Sequence, residues 1–328
     1  LNLDRANRGF ALVGGLSSII GGAVLCGALG EVLVPLALNA SDDGRSPHGL
    51  ALLPVVAFTA LVVVGLALAL RSLVTQLAAS SRLGRRIDAG ADHSPARRRA
   101  ETLDSGLAGR VVLFGSEEPF SFVYGLLTPR VVLSTALCDT LSDDELRAVL
   151  VHEQYHVRNL DPLKAMLSKV LTDGLFFLPV LRFLRSRYAA DRELAADRRA
   201  VAACGRRALA GALLRVVRGP DSLDLEVATG LVGDGLLDLR VRQLEEGRDP
   251  HPEGRWSRSA LSSLLGASIL VATFLASVST FGGTNTVDRI TGGDLLAPVL
   301  AGIVCAVPVV LAASCLLGIA AVRARRPI

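Results

Sequence analysis

The stretch "AVLVHEQYHVRNLDPL", Ala148 to Leu163, places two of the chain's five histidines four residues apart, with a glutamate directly after the first. On a helix, residues four apart lie on one face, so His152 and His156 can present two imidazole nitrogens to a single ion. Neutral imidazoles suit zinc, and a catalytic zinc site keeps one coordination position open. Glu153, beside the first ligand, is placed to act as general base on a water at that position. The alternative is a polar helix face carrying two solvated histidines, because so short a pattern also recurs by chance. A third ligand decides between the two.

The best candidate lies in "DRELAADRRA", residues 191–200, where Glu193 and Asp197 again stand four apart. One carboxylate can complete a two-histidine, one-glutamate site, and the other can accept a hydrogen bond from the second nitrogen of a ligand histidine. Taken alone, the segment reads equally as a charged helix face on which Arg192, Arg198 and Arg199 pair with these acids.

Helices must carry both segments. Ser142 and Glu145 in "LSDDEL" form a capping box that starts the first, and Leu146, Val149, Leu150 and Val157 continue its apolar stripe. Asp161-Pro162 reads as the N-cap and first turn of a second helix running from Leu163 to Leu181. An Ala- and Arg-rich helical pattern from Arg185 to about Gly219 holds Glu193 and Asp197, and "LLDLRVRQLEEG" is a further helix. Upstream, "RVVLFG" (110–115), "SFVYG" (121–125) and "RVVLST" (130–135) are three short strands. Residues 83–109 show no clear period and read as a juxtamembrane linker or loose helix. The fold class is α+β, mostly helical with a small sheet.

With 51% apolar and 4% aromatic residues the chain is more aliphatic than soluble proteins are. Four stretches, Phe10 to Leu38, Leu50 to Leu70, Ala260 to Phe281 and Leu295 to Val322, are nearly uncharged and reach the ~20 residues a bilayer crossing needs. The first exceeds the apolar core of a signal peptide and is followed closely by the second, so it is expected to be retained as a hairpin, although the chain starts at Leu1 without a methionine. This divides the chain into a transmembrane hairpin at 1–70, a central domain at 71–259 and a second hairpin at 260–328. Seven arginines lie between Arg71 and Arg99, and Arg323, Arg325 and Arg326 follow the last stretch, whereas the linkers "NASDDGRSPHG" and "GGTNTVDRITGGD" carry more acid than base. Positive flanks stay cytoplasmic, which puts the central domain and both termini inside a multi-pass plasma-membrane protein. The net charge of +4 is concentrated beside these spans, so direct nucleic-acid binding is not expected. Five cysteines without a Cys-x-x-Cys spacing, three of them in the apolar stretches, suggest neither a disulfide framework nor a thiolate zinc site.

"TPRVVLSTALCDTLSDDELRAVLVHEQYHVRNLDPL" (128–163), followed by "ELAAD" (193–197), resembles the gluzincin membrane peptidases, most closely the BlaR/MecR-type antirepressor metallopeptidases. The resemblance covers about Val111 to Val201 and the flanking spans. It implies one zinc ion per chain held by His152, His156 and Glu193, with Glu153 as catalytic base and Asp197 as a partner of the ligands. Asp161 also matches a family position, which its capping role explains equally well. In such peptidases a substrate strand lies antiparallel to an edge strand beside the metal, and Ser121, Phe122, Val123 and Tyr124 occupy that place. For an oxyanion donor, Tyr188 is one candidate; ordinary packing is the favoured account of it. Glu193 must reach the same ion as His152, so the 163–181 helix is expected to lie on the membrane or dip into it without crossing.

Well-known members carry an extracytoplasmic penicillin-binding sensor after the last span. The sequence ends at Ile328, so neither that domain nor β-lactam sensing is expected. The implied substrate is a cytoplasmic winged-helix repressor of the BlaI/MecI type, cleaved in signal-dependent gene regulation. An HtpX-type quality-control protease shares the zinc pattern and four spans but favours "NAFA" where this chain has "SFVY". A third reading, an inactive membrane scaffold or signal transducer, is opposed by five intact site residues. Homo-oligomerisation is left open.

Overall fold

The computed structural model of the chain describes residues 6–18, 20–22, 24, 53–92, 103, 106–107, 109–215 and 236–247. The expected spans at 260–281 and 295–322, and the linkers at 39–49 and 282–294, lie outside the described residues. Residues 6–18 are helical. The next element, α1 (Leu53–Ala89), is 37 residues long. At 1.5 Å per residue it measures about 55 Å, nearly twice the ~30 Å hydrocarbon thickness of a bilayer. Its N-terminal half leaves Val56, Val63, Leu66 and Leu70 more than half exposed, which suits lipid far better than water. Among the described residues it is the one helix long and apolar enough to cross a membrane.

The helix does not stop at Arg71. It runs on through the arginines, so of the two readings for residues 83–89, linker or loose helix, the helix is the one formed, and residue 70 falls inside one continuous element. The reason is packing: Leu83 and Ile87 are buried against Phe120, Phe122, Tyr124 and Val132 of the sheet, and that anchorage outweighs the weak periodicity of the local sequence.

The sheet comprises β1 (Ala91–Asp92), β2 (Val111–Phe114), β3 (Ser121–Tyr124) and β4 (Arg130–Ser134), in the order β1-β2-β4-β3. Three of these strands stand where the sequence places them; β1 is an addition, too short to leave a signal. β2 and β4 are parallel, with Val111 opposite Val131, and β3 pairs antiparallel with β4, with Ser121 opposite Leu133. Alternation assigns the faces. Phe122, Tyr124 and Val132 turn towards α1. Val111, Leu113, Val123, Val131 and Leu133 turn the other way, into a core completed by Leu137, Leu146, Val149, Leu150 and Val157. Ser121 shares this second parity, and so faces the helix that carries the histidines.

Beyond the sheet come α2 (Thr135–Thr140), α3 (Asp143–Asn159), α4 (Asp161–Gly174), α5 (Pro179–Cys204), α6 (Arg206–Arg215) and α7 (Leu236–Glu246). The single helix expected over 163–181 is divided: α4 ends at Gly174, and Pro179, which lacks the N–H an interior position needs, opens α5. Gly205, at φ 86°, ends α5 and splits the pattern expected to run to Gly219. The last turn of α4 is packed on α1. A Cβ on Gly65 would stand 2.6 Å from the Gly174 carbonyl oxygen, and one on Gly174 would stand 3.0 Å from the Ala69 Cβ. The end of α4 is therefore level with the apolar half of α1.

Candidate active site

The capping box at the start of α3 is formed: Ser142 Oγ accepts from the Glu145 N–H, and Glu145 Oε2 accepts from the Ser142 N–H at 2.9 Å. From this start the helix brings His152, Glu153 and His156 to buried positions. The facing helix is α5. Its Ala195 and Ala196 pack on Tyr155, and its Ala200 is buried with Ala148 of α3. Small side chains at these contacts let the two backbones approach closely. The "AA" inside "ELAAD" is thus the spacer that allows Glu193 and Asp197, on either side of it, to reach α3.

The result is a convergence of three ligand-type atoms. His152 Nε2 and His156 Nε2 are 3.1 Å apart. Glu193 Oε2 lies 3.4 Å from the first, and Glu193 Oε1 lies 3.8 Å from the second. On the far side of each ring, Nδ1 of His152 is 2.8 Å from Asp197 Oδ1, and Nδ1 of His156 is 2.6 Å from Asp161 Oδ2. An ionised carboxylate can only accept, which assigns the proton of a neutral His156 ring to Nδ1 and, through the 2.8 Å approach of Asp197, favours the same tautomer at His152. The two Nε2 atoms then face one another across a short gap beside a carboxylate, a cluster of acceptors that a shared proton or a metal cation relieves. Two nitrogens bound to one tetrahedral zinc at ~2.0–2.1 Å stand about 3.4 Å apart. The donor set and its spacing fit zinc, and His152, His156 and Glu193 are the residues that could hold it.

Buried charge tunes these groups. Burial opposes ionisation of Glu193, but His156, His152 and Arg192 together hold its carboxyl well below the usual range. Burial and the Arg240 charge oppose protonation of His152, yet the close carboxylates of Asp197 and Glu193 prevail and lift it to about 9. Asp197, wholly buried, is likewise held low against burial by Arg240 and His152. The arginines divide as follows: Arg192 is buried and donates to Glu193 Oε1 at 3.1 Å, whereas Arg198 and Arg199 are exposed.

Asp161 does not cap α4. The N-cap is Leu160, in the left-handed region at φ 54° ψ 41°, and no side chain bonds the free N–H groups there. A non-glycine residue in that region costs roughly 1–2 kcal/mol. The turn it makes reverses the chain abruptly enough for Asp161, five residues after His156, to bring its carboxylate back onto that ring. Tyr188 donates to the other oxygen of Asp161 at 3.3 Å and packs on Phe10, with ring centroids 5.6 Å apart. Burial, then the nearby Asp161 charge, push its hydroxyl well above the ordinary tyrosine range. Its surroundings are those of a packed residue.

On the sheet side, Ser121 Oγ donates to Glu153 Oε1 at 2.7 Å. Strand β3 bonds β4 on one side, and among the described residues no strand pairs with its other side. Phe122, Val123 and Tyr124 are buried, so β3 offers a partner its main chain more than its side chains. Arg240, on α7, was invisible in sequence: it is one arginine among many, with nothing in its neighbours to mark it. Its guanidinium donates to both oxygens of Asp197, at 2.6 and 2.7 Å.

No curated protein matches the chain. The family model described as BlaR1 peptidase M56 matches residues 46–242, more than half of the chain, from the residues just before α1 to the middle of α7. That match encloses every residue gathered around the two histidines, and the chain belongs to the BlaR1 peptidase M56 family, a family of membrane-associated metallopeptidases.

Proposed function

We propose that this protein is an integral-membrane zinc metalloendopeptidase with four spans, whose catalytic domain and termini face the cytoplasm and whose substrate is a cytoplasmic winged-helix repressor. The observation that carries the metallopeptidase reading is the convergence of His152 Nε2, His156 Nε2 and the Glu193 carboxylate beside Glu153, while the spans and orientation rest on the apolar stretches and the arginine bias, and the repressor substrate on the family resemblance. His152, His156 and Glu193 hold the zinc. Bound zinc supplies Lewis acidity, polarising a carbonyl and making water a nucleophile at neutral pH.

The chain's own groups do the rest. Glu153 takes the proton of the attacking water and returns it to the leaving amine nitrogen. Ser121, bonded to one oxygen of Glu153, leaves the other for that transfer. Asp197 and Asp161 favour the proton of each histidine on Nδ1, so that the proton an incoming ion must displace is the one on Nε2. The substrate segment adds to the open side of β3 as an antiparallel strand, so its main chain is held at a fixed distance from Glu153. That the end of α4 is level with the apolar half of α1 supports a turn between α4 and α5 that dips into the bilayer, with the site close beneath the membrane surface.

Metal analysis of the purified full chain, with a proteomic comparison of cells carrying wild type or Glu153→Ala, tests the reading. Zinc in both proteins and fragments of one DNA-binding repressor only with wild type are expected. Equal cleavage by Glu153→Ala overturns it, and fragments of many membrane proteins in place of one repressor would favour the quality-control role.

A further inference from the structure

Asp197 is fully buried, and its two oxygens are both claimed. Oδ1 meets His152 Nδ1 at 2.8 Å and Arg240 Nη2 at 2.7 Å, while Oδ2 accepts from Arg240 Nε at 2.6 Å. Arg240 Nη1 also stands 4.0 Å from Glu193 Oε2. One guanidinium therefore bonds Asp197 and stands at ion-pair distance from Glu193, the two carboxylates that α5 brings to the site. A planar fork bonded to both oxygens fixes the plane of a carboxylate, which a point charge does not. With Asp197 so fixed, its Oδ1, 2.8 Å from His152 Nδ1, favours the ring orientation that turns Nε2 towards His156 and Glu193.

Arg240 belongs to α7, which reaches the site from 43 residues further along the chain. The same helix is tied to the same stretch of α5 by Gln243, which donates to the Leu194 carbonyl at 2.9 Å, and by Leu244, buried with Ala148, Ala200 and Leu209. The attachment of α7 and the geometry of the site thus share one set of groups, Glu193 to Asp197.

We infer that Arg240 is a positioning residue of the metal centre, and that docking of α7 and loading of zinc are linked, each strengthening the other. The linkage is reciprocal by thermodynamic necessity: whatever α7 adds to zinc affinity, zinc adds to α7 docking. The inference rests on the zinc reading given above. It makes α7 a point at which anything that pulls on residues beyond 247 can loosen the metal centre.

The test uses the full chain in detergent or lipid discs, in wild-type form and as Arg240→Met, Arg240→Lys and, as a control on the exposed side of α7, Arg242→Met. Zinc affinity is read by competition with a chelator, and hydrogen exchange of the 236–246 amides is read with and without zinc. Arg240→Met is expected to bind zinc about 10- to 100-fold more weakly, Arg240→Lys to fall between it and wild type, and Arg242→Met to match wild type. Zinc should slow exchange across α7 in wild type and lose that effect in Arg240→Met. Wild-type affinity in Arg240→Met overturns the inference while leaving the zinc reading intact. Should that variant fail to fold, wild-type affinity in Arg240→Lys together with α7 exchange in wild type indifferent to zinc overturns it equally. A wild-type chain that takes up no zinc overturns the metallopeptidase reading and this inference with it.

Discussion

Ser121 and Glu153 are 32 residues apart in the chain, and their side chains meet at 2.7 Å, hydroxyl to carboxylate. The contact joins the strand that would receive substrate to the group that would move the proton. A hydrogen bond to a charged group contributes roughly 1.5–3 kcal/mol, so Ser121→Ala should lower kcat by about tenfold or more. Zinc content should not change, and Ser121→Thr, which keeps the hydroxyl, should recover most of the loss. Steady-state kinetics on a repressor-derived substrate checks this; a change confined to KM would remove Ser121 from the proton-transfer step.

The raised His152 makes metal binding pH-dependent in a definite direction. Without metal the ring keeps its proton up to about pH 9, and zinc must displace that proton. Zinc affinity should therefore climb by up to about tenfold per pH unit from neutrality and level off near 9. The metal-free protein behaves oppositely. A histidine raised above its unfolded value of 6.5 contributes stability that is complete below that value and lost as pH rises through 9. Chelator competition and Tm measurements across pH 6–10 should show the two trends crossing.

Asp161 distinguishes a helix cap from a ligand partner. If its side chain capped α4, Asp161→Ala would cost about 1 kcal/mol of stability and leave zinc alone. Because it holds His156 Nδ1 instead, the variant should bind zinc about 10- to 100-fold more weakly. Zinc titration of the variant in parallel with its thermal melt separates the two roles.

Gly65 is fixed by the approach of α4. A Cβ there would fall 2.6 Å from a backbone oxygen, which cannot swing aside as a side chain could. Gly65→Val should prise α4 from α1 at a cost of about 1–3 kcal/mol, seen as a lower Tm in detergent. A variant as stable as wild type would show that this contact is not part of the folded protein.

The site shows which facts reside in sequence. His152, Glu153 and His156 are legible because a helix converts spacing into a shared face, and the capping box marks where that helix starts. Glu193 and Asp197 are legible as a pair for the same reason. Three of the four strands carry β-branched runs between turn residues, whereas β1 has two residues and no pattern to read. The helix expected over 163–181 is two helices, because Gly174, legible as a breaker, and Pro179 end one and open the next where the apolar run alone reads as continuous.

What only the tertiary structure decided is which groups meet across elements. In sequence Asp161 reads equally as a cap and as a family position beside the ligands, and the left-handed turn at Leu160 makes it a partner of His156 and not a cap. Ser121 became a neighbour of Glu153 through the parity of its strand, and α1 extended to Ala89 because the sheet gives Leu83 and Ile87 something to bury against. Arg240 carried no sign at all. Periodicity is a local property, set by residues within one or two turns, so the sequence alone determined the helix faces and the chemistry they could hold. The partners across the fold were determined by the packing of distant elements, where each pairing depends on every other.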